Sequence, residues 1–162
     1  MDLLSGLKQV GKGDLAAVKK LIRDKATANR RQSDGSTPLS TAALRGHLDV
    51  VNYLLELGAD PSGSNADGNT PLHAAAFLCR EEVVKLLLDK GASLTAKNNN
   101  GETPIDVVSG EWGQALADFY TSIGVGINQK LDLKQIEKDR PKIAERLRKF
   151  MKEQGEKPTG GK

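Results

Sequence analysis

Between residues 46 and 57 the chain reads GHLDVVNYLLEL, in which Val50, Val51, Leu54 and Leu55 recur at helical spacing and leave the opposite face polar. A similar stripe returns further along, and the distance between the two is fixed. Val18, Val51 and Val84 are each 33 residues apart, as are Leu21, Leu54 and Leu87. The polar segments keep the same register. Asp34-Gly35 recurs as Asp67-Gly68 and Asn100-Gly101, Ser36–Leu39 (STPL) recurs as NTPL at 69–72 and ETPI at 102–105, and Gly58-Ala59 is matched by Gly91-Ala92. A fixed period of this length means one small structural unit stacked on copies of itself. The register extends to the start of the chain, where GDLAAVKKLI echoes GHLDVVNYLL.

Local chemistry supplies the elements within each unit. Thr37-Pro38, Thr70-Pro71 and Thr103-Pro104 each place a capping hydroxyl before a proline, and proline fits the first helical turn because its missing N–H would be unpaired there anyway. Each pair predicts the start of a short Ala-rich helix. After a break comes the amphipathic second helix, stopped by Gly58 or Gly91, residues able to take positive φ. The connecting segments ADPSGSNADGN and ASLTAKNNNGE are rich in residues that tolerate turn geometry. The unit is thus helix, turn, helix and polar hairpin-like loop.

These residues resemble the ankyrin repeat. Thr70-Pro71-Leu72-His73-Ala74-Ala75 fits that family's T-P-L-H-x-A signature throughout, and residues 46–61 read like its second helix and exit loop. The resemblance implies an all-α solenoid of stacked helix-turn-helix units with hairpin-like loops projecting from one edge. A single domain over 1–155 is expected, with an N-cap repeat at 1–33, full repeats at 34–66 and 67–99, a degenerate repeat at 100–124 and a C-terminal helical cap at 125–155. The polar tail 156–162 is expected to be disordered.

The C-terminal third matches no repeat consensus. SGEWGQALADFYTSIG can supply the fourth unit's second helix through the stripe Leu116, Phe119, Tyr120 and Ile123. Asp139 and Pro141 predict the start of a last amphipathic helix with Ile143, Leu147, Phe150 and Met151 on one face. Its expected role is to cover the open end of the stack. Its other face carries Lys138, Lys142, Arg146, Lys149 and Lys152, which a solvated helix would also show, Glu145 lying four residues before Lys149. Gly124–Gly126 (GVG) is too short for a phosphate loop and predicts a helix-ending loop.

Composition narrows the partners. Aromatics are only 4% of 162 residues, which suits small-residue helix packing. No apolar run approaches the roughly 18 residues needed to span a bilayer. The start MDLLSGLKQVGKGD lacks the basic region and apolar core of a secretion signal. With one cysteine, compatible with a reducing compartment, this predicts a cytoplasmic monomer; a secreted or periplasmic chain would need a leader removed from its start. The net charge of +3 hides a pattern: +5 over residues 1–33, −5 over 34–109 and +3 over 110–162. Basic residues at opposite ends argue against the continuous basic face of a nucleic-acid binder.

His73 and Cys79, six residues apart, invite a catalytic or metal reading. A metal site needs three or four ligands, and there is no second cysteine. Six residues of helix separate the pair by about 9 Å along the axis, too far for a thiol and its base. The resemblance instead gives His73 a structural role, hydrogen-bonding within and between repeats, with Ser40 and Asp106 as its register equivalents, and puts His47 in the turn between helices. Cys79 stands where Gly46 stands one repeat earlier. Either its turn differs or the backbone there is strained. No catalytic residue, metal or cofactor is expected.

The family implies recognition of another protein by loop tips and by the groove-facing side of the first helices. Carried over by position, the tips are Ser33, Asp34, Ser36, Ala66, Asp67, Asn69, Asn99, Asn100 and Glu102. The helix positions are Leu44, Arg45, Phe77, Leu78 and Glu111. Exposed on a concave face, Phe77 and Leu78 would form a contact site; folded onto neighbouring repeats, they would be core. The alternative function is binding of nucleic acid or another acidic surface through the basic terminal segments, including Lys19, Lys20, Arg23, Arg30 and Arg31.

Overall fold

Ten helices and no strand occupy residues 3–155, the part described by the computed structural model, with side chains from Lys8 onward. The tail 156–162 lies outside the described residues. Helix α1 (Leu3–Lys12) pairs with α2 (Leu15–Leu21), which leads into the single turn α3 (Lys25–Ala28). Then α4 (Pro38–Arg45) pairs with α5 (Leu48–Glu56), and α6 (Pro71–Phe77) with α7 (Glu81–Asp89). First helices stack on first helices and second on second, so the sequence period becomes a spatial one. Val18, Val51 and Val84 are all buried in one continuous core, together with Leu54, Leu87 and the small Ala42, Ala43, Ala75 and Ala76.

The threonine–proline starts work as their chemistry dictates. The Thr70 hydroxyl accepts from the His73 N–H while the His73 ring Nδ1 accepts from the Thr70 N–H at 3.2 Å, a reciprocal capping box. Thr37 and Ser40 form the same box at the start of α4. Thr103 and Asp106 exchange equivalent bonds ahead of α8 (Asp106–Ser109). His73 does more than Ser40. Its Nε2 donates to the Glu102 carbonyl at 2.9 Å, tying α6 to the next loop. With both nitrogens engaged and the residue buried, the ring is neutral, and burial holds its pKa below the ordinary 6.5.

The loops interlock along one edge. In each, a backbone bond closes the hairpin, from Gln32 N–H to the Ser36 carbonyl, Asn65 to Asn69 and Asn98 to Glu102. Neighbouring loops are joined by Ala66 N–H to the Asp34 carbonyl and Asn99 N–H to the Asp67 carbonyl. This contact requires Gly35 and Gly68: a Cβ at Gly35 would lie 2.7 Å from the Ala66 nitrogen, and one at Gly68 2.9 Å from the Asn99 nitrogen.

Cys79 keeps the glycine's backbone. Its φ of 54° is left-handed, and the bonds Cys79 N–H to Ala76 O and Arg80 N–H to Ala75 O repeat those of Gly46 and His47. The turn is therefore unchanged and the backbone is strained, by about 1 kcal/mol. What differs is the neighbour. At Gly46 the Arg80 side chain of the following repeat crosses 2.9 Å from where a Cβ would be, and at Gly13 His47 does the same at 2.6 Å. The register position that would cross Cys79 is Gly113, which has no side chain.

The C-terminal third departs from the sequence expectation three times. The last helix, α10 (Leu133–Glu153), begins at the cap Asp132, whose carboxylate accepts from Gln135 N–H, and not at Asp139–Pro141. Pro141 sits inside it. Both Pro141 and Glu137, whose carbonyl loses its helical partner, are exposed, so that carbonyl can turn to solvent. Second, α10 and not α9 (Gln114–Gly126) pairs with α8, burying Ile143, Ala144, Leu147 and Met151 in the main core. Third, the segment Gly124–Gly126 is the final turn of α9 and not a loop; Gly124 is buried, and a Cβ there would meet the Gln129 carbonyl at 2.8 Å.

Because the folded state depresses the His73 pKa, the stability it contributes is present in full above about pH 6.5 and declines as the pH falls below that. Wild type should therefore lose more stability between pH 7.5 and 5.5 than His73→Ser, which retains the cap but does not titrate. His73→Ala should cost about 2–3 kcal/mol at pH 7.5, with cap and inter-repeat bond both lost. Urea unfolding across the pH series measures both; equal pH slopes would contradict the assignment.

Candidate functional site

The loop tips and the first helices enclose an open trough of about 1100 Å³. Its floor is formed by Ser40, Thr41, Ala74 and Val107. One wall consists of loop residues, among them Asp34, Ser36, Asp67, Asn69, Asn100 and Glu102. The opposite wall is α9, contributing Leu116, Phe119, Ile123 and Gly126. An open concave face would lack this second wall.

Helix α9 lies across the C-terminal ends of α4 and α6. Tyr120, fully buried, stacks on Phe77 with ring centroids 4.3 Å apart, and its hydroxyl donates to the Phe77 carbonyl at 2.6 Å. The same hydroxyl accepts from Arg140 Nη1 at 2.7 Å. Arg140 is 3% exposed and forms no ion pair among the described residues; its other bonds go to the carbonyls of Val107 and Gly110. One guanidinium thus joins α8, α9 and α10. Further along, Arg45 Nη1 donates to the Ile127 carbonyl, and Arg80 Nη2 to the Gln129 side chain. Burial pushes the Tyr120 phenol up to about 12, against the lowering effect of Arg140, so it remains protonated and a donor.

The sequence-derived candidates separate on this geometry. Leu78 is 2% exposed, packed with Tyr120 and Ile136, so it is core and not a contact site. Phe77 is half-buried; one ring face is covered by Tyr120, and it still borders the trough. Leu44, Arg45 and Glu111 line it as well. Among the loop tips, Ser33, Ala66 and Asn99 are exposed but stand outside the trough. Two of these serve the ladder instead: Ala66 donates to Asp34, and the Asn99 side chain donates to the Ala66 carbonyl. Asp34 accepts from the Ser36 N–H and hydroxyl, and the hydroxyl, with the N–H behind it, holds its pKa below the usual carboxylate value.

Sequence reasoning missed Phe119, 53% exposed on the α9 wall, and the cations Lys8 and Lys12 at the opposite end. Phe119 was visible as part of an apolar stripe. The stripe gives no clue that this ring turns toward the trough while Tyr120 turns into the core.

Cys79 and His73 do not form a site. Both ring nitrogens of His73 are bound to Thr70 and Glu102, and the Cys79 thiol is directed at the Ile136 carbonyl, 3.9 Å away. Burial raises the thiol pKa to about 11, with Arg140 pulling the other way. Among the described residues, no three of His, Cys, Asp and Glu come together as metal ligands would.

A model of three consecutive ankyrin repeats matches residues 8–106. The chain belongs to the ankyrin-repeat family. Relatives of this ankyrin-repeat chain include the human and bovine proteins named ankyrin repeat domain-containing protein 49, each 48% identical over 50 residues, 30% of this chain and 21% of theirs. A serine/threonine-protein kinase VIK of Arabidopsis thaliana is 50% identical over 48 residues, 29% of this chain and 11% of the kinase. The likeness therefore spans about a fifth or less of these relatives' lengths, and the kinase shares only repeats with this chain. Ankyrin repeats are generally protein–protein interaction modules and generally non-enzymatic. No helix among the described residues is long and apolar enough to cross a membrane.

Leu78→Ala should cost about 2–5 kcal/mol in denaturant unfolding. Tyr120→Phe should cost about 1–3 kcal/mol by leaving the Phe77 carbonyl unpartnered, whereas Phe119→Ala should stay within about 0.5 kcal/mol. A separate check concerns the thiol. At pH 8 a disulfide reagent should titrate Cys79 at least about tenfold more slowly in the folded than in the urea-unfolded protein, since a pKa of about 11 against 9.0 lowers the thiolate fraction about 100-fold and the greater nucleophilicity of the thiolate returns about tenfold.

Proposed function

We propose that this ankyrin-repeat protein is a non-enzymatic binding module that takes a segment of a protein partner into the trough between its loop tips and α9. The observation that carries this reading is the two-walled trough itself, with hydrogen-bonding loop residues facing an apolar helix that leaves Phe119 half exposed. A partly exposed aromatic beside polar groups is the composition of a binding hot spot with its rim. The groups that would have suggested chemistry, His73 and Cys79, are engaged in structural bonds.

The alternative, an acidic surface bound by the basic terminal segments, finds less support. Lys19 and Lys20 of α2, with Arg23 just after it, and the cations of α10 belong to opposite ends of the stack. Several are also occupied: Arg23 donates to the Lys20 carbonyl, Arg146 pairs with Glu81 and Lys142 with Asp139.

A photo-crosslinking residue at Asn69, in the trough, should trap a partner in cells expressing the protein, whereas the same residue at the exposed Lys134 of α10 should not. Crosslinks from Lys134 alone would overturn the proposal.

A further inference from the structure

The charges around the trough are not evenly distributed. Toward the α1 end stand Lys8, Lys12 and Arg45, the last donating to the Ile127 carbonyl, with Asp34 held by Ser36. At the other end Asp67, Glu102, Asp106 and Glu111 border the same space. Among the described residues none of these four carboxylates forms an ion pair. Among the described residues the Glu102 carboxylate accepts from the side chains of Asn98 and Asn100, and the Asp106 carboxylate from Thr103. Arg140 also borders this end, but its guanidinium is committed to Val107, Gly110 and Tyr120. Carboxylates gathered in a concavity with one apolar wall concentrate their field on whatever enters.

The apolar surface is the α9 wall of the same trough. Phe119 lies edge-on to Phe77, with ring centroids 5.7 Å apart, and Ile123 borders the trough one helical turn further on. Negative charge and an exposed aromatic face together match one kind of side chain well, the long basic one: its alkyl stem packs on an apolar surface, and its cation pairs with a carboxylate or rests over a ring.

Resting on the reading of the trough as a protein-binding site, we infer that its occupant is a short basic segment of a partner protein. Lysine or arginine side chains of that segment reach Asp67, Glu102, Asp106 and Glu111, and an adjacent apolar residue seats on Phe119 and Ile123. Charge complementarity selects this occupant over an acidic segment, which would meet four carboxylates that form no ion pair among the described residues.

The test is selection of a phage-displayed random dodecapeptide library on the intact protein, followed by binding of a synthetic enriched peptide to purified variants. The enriched peptides should be net positive and contain a large apolar residue. Affinity should fall about tenfold with Phe119→Ala and by a similar factor with the double variant Asp67→Asn, Glu111→Gln, and it should weaken steeply with salt. Thermal melts of these variants should match wild type, which separates lost contacts from lost fold. Enriched peptides that are acidic or neutral yet still depend on Phe119 would overturn the basic-segment assignment and leave the trough as a binding site. Peptides indifferent to every trough substitution would overturn both. Failure to enrich any sequence, or self-association of the protein in sedimentation, would also overturn the basic-segment assignment.

Discussion

Arg140 donates to the hydroxyl of Tyr120, which donates to the carbonyl of Phe77, so three helices from different parts of the chain share one short line of hydrogen bonds. A buried guanidinium without a carboxylate is expensive unless its donors are all taken up. Here the carbonyls of Val107 in α8 and of Gly110 just after it, with the Tyr120 oxygen, take up its Nη groups. The Gly110 and Tyr120 acceptors are in place because α8 stops at Ser109 and the chain turns back as α9. The position of α9, and with it the second wall of the trough, follows from the need to satisfy one buried cation.

Everything on the loop side depends on a different constraint, the backbone ladder. Its bonds from Ala66 and Asn99 space the tips at the repeat interval, and glycine at 35 and 68 permits the approach. The trough therefore lies between a wall held by main-chain bonds and a wall held by side-chain packing. The first owes little to residue identity beyond its glycines. The second depends on Tyr120, Phe77 and Arg140 individually, so the α9 wall is where a chain built on common repeats acquires a surface of its own.

Much of the repeat architecture was legible because each signal is local: Thr70-Pro71 starts a helix wherever it occurs, and His73 three residues after Thr70 must sit over the cap. The placement of α9 was not legible. A stripe of Leu116, Tyr120 and Ile123 states that one face is buried but not against what, and both α7's flank and the ends of α4 and α6 offered apolar surface. Arg140 was hidden for a similar reason, being one of many cations on α10, with nothing in its neighbours to mark it as the buried one. Pro141 misled in the opposite direction: a proline reads as a helix start, but on a solvent-facing flank it can lie in the middle.

The turn at Cys79 shows that the demand for glycine at this position comes largely from outside the repeat that contains it. At Gly13 and Gly46 the crossing side chain is His47 or Arg80 of the following unit; beyond Cys79 the register offers Gly113, and a side chain is tolerated. The array therefore carries a record of where it stops. Lengthening it by grafting another full repeat after residue 99 would bring a bulky residue over Cys79, so an engineer adding one unit would have to restore glycine in the unit before it.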